Sequence, residues 1–139
     1  MTKSFMLVCS AFLFIADANG QTAADLGTKY HHHEVYEVEP GVQMTPKFAS
    51  DGQVCEMQVE QSHFGKNRVD FSDGLNQAKI NAITDQLVPA EERGEKINEL
   101  VLCTGSCETI SEYSNVFVNV LSHVKTRVIA IKWRNRTCG

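Results

Sequence analysis

The residue types able to do chemistry in this chain are a run of three histidines, two isolated histidines and a scatter of cysteines. His31, His32 and His33 stand in sequence, with Glu34 directly after them. Neutral imidazole is a good ligand for zinc, copper or nickel, which makes the run a candidate metal site. In an extended segment, however, His31 and His33 face one way and His32 the other, so the run does not converge on one ion by itself. His63 and His123 could each serve as a general base. Neither belongs to a Gly-x-Ser-x-Gly elbow or a His-Glu-x-x-His helix, and Ser106 and Ser111 have no identifiable base. Acidic pairs such as Glu91/Glu92 read as a solvated helix face. The expectation is therefore no catalytic residue and no cofactor. The alternative is a metal-binding protein or small hydrolase built on His31, His32 and His33 or on His123.

The cysteines are read through the start of the chain. Lys3 precedes an apolar stretch over residues 5–16 that contains Cys9, and Ala18-Asn19-Gly20 follows as a small-x-small sequence. This is the pattern of a secretory signal, and it is too short to span a bilayer. Residues 1–20 are expected to be removed on export to a periplasmic or extracellular space, with Gln21 first in the mature chain. Four cysteines then remain: Cys55, Cys103, Cys107 and Cys138. An even number in an exported chain reads as two disulfides, and four cysteines allow three connectivities. The short Thr104-Gly105-Ser106 connection favours Cys103 with Cys107, which leaves Cys55 with Cys138. A zinc site from Cys103, Cys107, His123 and Cys138 matches no compact zinc motif, and a redox pair would want two intervening residues, not three.

Charge narrows the partners. The 139 residues carry a net charge of −4, which argues against nucleic-acid binding by phosphate neutralisation. The charge is uneven. Residues 21–122 hold seven basic and sixteen acidic side chains, whereas residues 123–139 hold Lys125, Arg127, Lys132, Arg134 and Arg136 and no acid. These five could form a basic strand face for an anionic surface or another envelope protein. Equally, that strand could pair beside Glu56, Gln58 and Glu60, where opposite charges across a ladder are favourable. Asn135-Arg136-Thr137 is a glycosylation sequon where the source has that machinery.

Elements follow from periodicity. Residues 21–40 read as an N-terminal arm with a short strand near Val35-Tyr36-Glu37-Val38, stopped by Pro40-Gly41. Residues 42–48 and 53–60 alternate apolar and polar around Ala49-Ser50-Asp51-Gly52, a hairpin with Cys55, Met57 and Val59 inward. Pro46 cannot donate to a ladder, so that strand should be an edge or bulged there. Residues 62–71 read as a loop. A helix capped by Ser72 or Asp73 should run to about Val88, with one further helical turn over residues 90–93 ending at Gly94. An irregular disulfide loop and a final hairpin, residues 115–121 and 127–134, complete the chain, with Ile129, Ile131 and Trp133 on one face. The expected fold class is α+β: a single domain over residues 41–139, with a small antiparallel sheet and one main helix packed on a face.

Two resemblances accompany these elements. Tyr36-Glu37-Val38-Glu39-Pro40-Gly41-Val42, Asp51-Gly52-Gln53-Val54-Cys55-Glu56-Met57, Leu87-Val88-Pro89, Glu92-Arg93-Gly94 and Ile131-Lys132-Trp133 with Cys138 resemble a group of small secreted bacterial proteins without assigned function. Lys47-Phe48, Asp51-Gly52, Val54, Met57, Val59 and Ser62, followed by a helix, are similar to the strand-turn-strand-helix of TonB-type C-terminal domains. The chain departs from that second pattern in its cysteines, its additional terminal hairpin and its lack of a Pro-rich spacer. The first resemblance implies bacterial export and carries no catalytic residue over. The expected function is a binding or structural role at the cell envelope.

Overall fold

Apolar residues at every second position make the first hairpin. The computed structural model describes residues 21–30, 35–61, 75–123 and 126–139. In it Val42, Met44 and Pro46 point inward from β2 (Val42–Phe48), and Met57 and Val59 point inward from β3 (Val54–Gln61). Gly52 supplies the turn, with φ at 80°, a value that costs a side chain strain but glycine none. A short β1 (Tyr36–Glu39) pairs with β2 only as far as Met44. Pro46 therefore lies beyond the described end of β1, where β2 has no outer neighbour among the described residues and a missing N–H leaves no gap in a described ladder.

The N-terminal arm is a correction. Residues 23–30 form a helix, α1 (Ala23–Tyr30), because Thr22 and Asp25 build a reciprocal cap. The Thr22 N–H and hydroxyl both donate to Asp25 Oδ2, at 2.9 and 2.7 Å, and the Asp25 N–H donates back to Thr22 Oγ1. Leu26 anchors the helix at 1% exposure, and the Val54 N–H donates to the Gln21 carbonyl.

The main helix, α2 (Gln77–Leu87), starts later than expected. Its cap is Asn76, whose side chain accepts from the Lys79 N–H, while Ser72 and Asp73 lie outside the described residues. Ile80, Ile83, Thr84 and Leu87 form its buried side. The single turn over residues 90–93 is present as α3 (Ala90–Arg93), closed by Gly94.

The region read as an irregular disulfide loop is also corrected. It is a hairpin of β4 (Lys96–Cys103) and β5 (Cys107–Tyr113), followed by β6 (Val116–Ser122) and β7 (Arg127–Trp133). All seven strands join one antiparallel sheet in the order β1-β2-β3-β7-β6-β5-β4. The class is α+β as expected, but the molecule is far richer in sheet than one main helix on a small sheet. One core cluster joins Met44, Met57, Val118, Ile129, Ile131 and Trp133 on the inner sheet face to Ile80, Ile83 and Leu87 of α2 and to Leu26 of α1. Both disulfides form as the spacing favours, Cys103–Cys107 and Cys55–Cys138. The second ties the C-terminus to β3, beside the pairing of Ala49 with Cys138.

Candidate functional site

The sheet is longer than the helix that covers it, and the uncovered end of its inner face is a groove of about 420 Å³. Its floor is Val118 and Val120 of β6, with Ile80 of α2 at one side. Along α2 the rim carries Gln77, Asn81 and Asp85. Arg93 comes from α3, and Lys96, Glu99, Thr109, Ser111 and Tyr113 come from β4 and β5. The floor is apolar because these β6 positions alternate inward. The rim is polar because β4 and β5 lie past the helix and meet water on that side.

Two charged clusters stand on the rim of the groove. Glu99 and Ser111 are directly opposite in the β4–β5 register, and the Ser111 hydroxyl donates to Glu99 Oε2 at 2.9 Å. A bulge between Lys96 and Asn98 turns Lys96 toward the same carboxylate, where Nζ donates at 2.5 Å. The hydrogen bond from Lys96, with that from Ser111 second, holds the Glu99 carboxyl below its ordinary range; the same bond raises Lys96. In the second cluster Arg93 Nη2 donates to Asp85 Oδ1 at 2.6 Å, and its guanidinium stacks at 5.2 Å over the ring of Tyr113, the register partner of Lys96. Arg93 Nε is buried with no hydrogen-bond partner among the described residues.

Chemically, this arrangement holds rather than reacts. Ser111 is a hydrogen-bond donor to a carboxylate that is already ionised and paired, so Glu99 is a poor proton acceptor for it. Each positive charge of the rim has its negative counterpart. The groove as a whole is neutral, with an apolar strip beneath amides and hydroxyls.

The residues singled out from sequence lie elsewhere. His31, His32 and His33 fall outside the described residues, as does Lys125. His123 is exposed at the end of β6, its N–H donating to the Thr126 carbonyl. The four cysteines of the described residues are oxidised in pairs, which removes the thiolates a zinc site of Cys103, Cys107 and Cys138 would need. Three of the five tail cations have internal partners. Arg127 Nη1 donates to the Leu75 carbonyl at 2.7 Å. Arg134 bonds Glu112 at 2.6 Å and lies over Phe117, and Arg136 donates to the Val54 carbonyl at 2.6 Å over the Trp133 ring. Lys132 is exposed on the outer face, opposite Glu56 in the β3–β7 register. A second hollow of about 530 Å³ lies there, lined by Glu56, Phe117, Lys132, Arg134 and Arg136 among others.

Sequence reading missed the groove because its rim comes from four separate elements with no motif joining them. The one local signal was Lys96 and Glu99 three residues apart beside an apolar run, which reads equally as a helix pair. Comparisons with protein-family models, with curated proteins and with solved structures give no match to this chain.

Proposed function

We propose that this chain is an exported, disulfide-stapled binding domain of the cell envelope, and that the groove between α2 and β4–β6 holds a small neutral polar molecule. The observation that carries the reading is the composition of the groove: an apolar floor under a rim whose charges cancel in pairs. A charged ligand would have to break the Lys96–Glu99 or Arg93–Asp85 pair to be neutralised. A neutral ligand with hydroxyls or amides leaves both pairs intact and lays its C–H face on Val118 and Val120. Two disulfides support an oxidising compartment. No helix among the described residues is long and apolar enough to cross a membrane.

The test is an NMR titration of the oxidised chain with neutral mono- and disaccharides, against a charged amino sugar and a uronic acid as comparators. Neutral probes should shift the amides of Asn81, Lys96, Ser111 and Tyr113, and the charged analogues should bind more weakly. Shifts confined to the outer face around Lys132, or none with any neutral probe, would sink the reading. Mass spectrometry of exported material should find Gln21 as the first residue; an intact Met1 would remove the export half of it.

A further inference from the structure

The strand at the end of the sheet has features of an interface. Every residue of β4 is exposed, and Ile97, Leu100, Val101 and Leu102 are 48–59% exposed, although all four are large and apolar. Edge strands are normally blunted by proline, by a bulge or by charges along them. Residues 98–103 pair with β5 without a register shift, hold no proline and carry only Glu99, which Lys96 neutralises.

The direction of the free backbone groups follows from the hairpin geometry. Cys103 and Cys107 have Cα atoms 4.2 Å apart, the close spacing of an antiparallel pair that exchanges no backbone hydrogen bonds. Thr104 and Ser106, one step further toward the turn, do bond: the Thr104 N–H donates to the Ser106 carbonyl. Pairs alternate along a ladder, so Glu99, Val101 and Cys103 turn their N–H and C=O groups away from β5, toward the open edge.

We infer that β4 is the contact between two copies of this chain, paired antiparallel about a two-fold axis at Val101. This register sets Val101 against Val101 of the second copy in a mutually hydrogen-bonded pair, and Glu99 and Cys103 exchange the bonds on either side. Leu100 then lies opposite Leu102 twice over, on the outer face where Ile110 extends the apolar surface. Two other registers are poorer. Centring on Glu99 brings two carboxylates together, and centring on Leu100 sets Glu99 against Val101. The strand is thus self-complementary in backbone direction, apolar side chains and charge, as an isologous contact requires. The sheet continues unbroken across both copies, and the second copy's strand extends the Lys96–Glu99 side of the groove.

Sedimentation equilibrium of the purified oxidised chain tests this, with Val101→Lys as the disrupting variant. Position 101 is exposed, so the variant should keep the circular dichroism and thermal midpoint of the dilute parent. The parent should be a dimer at micromolar concentration. Val101→Lys should raise the dissociation constant at least about tenfold by opposing two ammonium groups across the axis. Val101→Cys should give a covalent dimer on mild oxidation, since a paired position at the axis lies within disulfide reach. A parent that sediments as a monomer throughout overturns the inference, as does a dimer that Val101→Lys leaves unchanged. A dimer that Val101→Cys fails to cross-link overturns the register.

Discussion

Ser111 and Glu99 stand directly opposite one another across the β4–β5 ladder, and the Ser111 hydroxyl donates to Glu99 Oε2 at 2.9 Å. Lys96 donates to the same oxygen, so one carboxylate gathers a hydroxyl from the neighbouring strand and an ammonium from its own. The arrangement fixes the rim of the groove through Ser111, which is buried and paired with the core residue Val118. Its strength depends on Glu99 being ionised.

That dependence has a definite sign. The Glu99 pKa is lowered in the folded chain, so the interaction is fully present above the ordinary carboxylate range. It is lost as pH falls through the depressed folded value. Lys96→Ala should move the Glu99 pKa upward more than Ser111→Ala does, because the lysine hydrogen bond is the larger cause. Carboxyl-carbon NMR titration of Glu99 in the two variants measures the order directly. A larger shift in Ser111→Ala would contradict it.

A second carboxylate works in the same direction at the other end of the chain. Thr22 hydrogen bonds lower the Asp25 pKa, which makes the N-terminal turn of α1 acid-sensitive. The cap is intact above the ordinary aspartate value and lost as pH drops through the folded one. The methyl shifts of Leu26, which docks α1 on the core, should move toward exposed values at low pH, and Asp25→Ala should show that position at neutral pH. Leu26 shifts that ignore both changes would mean that docking does not need the cap.

The two disulfides should differ in weight. Cys55–Cys138 closes a sequence separation of 83 residues and Cys103–Cys107 one of 4. In the chain-entropy description, removal by paired alanines costs about 4–5 kcal/mol for the long loop and about 2 kcal/mol for the short one. The long one also holds the C-terminal residues against Phe48 and Ala49. Urea unfolding of Cys55→Ala/Cys138→Ala against Cys103→Ala/Cys107→Ala gives the comparison, and equal losses would show that loop length is not what decides it.

Much of the fold was legible where one face is buried and the other wet. The β2–β3 and β6–β7 strands alternate cleanly, so Met57, Val59, Ile129, Ile131 and Trp133 announced their inner face. The β4 strand was illegible for the converse reason. Exposed on both faces, its Leu100-Val101-Leu102 run has no period-2 contrast to read. Helix α1 was hidden because Leu26 is its one buried residue among residues 23–28, and the decisive signal is the Thr22/Asp25 spacing of a capping box. For the groove, the sequence holds its rim residues at distances that only the β4–β5 register and the late start of α2 bring together. The histidine run, the most conspicuous chemical feature of the sequence, lies outside the described residues.

Gly94 lies between α3 and β4, the elements that carry Arg93 and Lys96 of the groove rim. Its φ and ψ, 76° and −164°, fall in a region open essentially to glycine alone. A Cβ built there collides with Ser114 Oγ and crowds Asn115 Nδ2 at 3.1 Å. The neighbouring backbone is equally committed, since the Ser114 and Asn115 N–H groups donate to the Glu95 and Arg93 carbonyls. Gly94→Ala should therefore cost about 1–3 kcal/mol of stability from backbone strain, with the steric clash adding to it. Gly52→Ala provides the contrast: it has a similar φ of 80° but open space around its Cβ. Both variants should lower the thermal midpoint, Gly94→Ala by more, and only Gly94→Ala should shift the amides of Lys96, Ser111 and Tyr113 along the groove. Equal midpoints with an unperturbed rim would show that the α3–β4 junction relaxes freely and does not position the site.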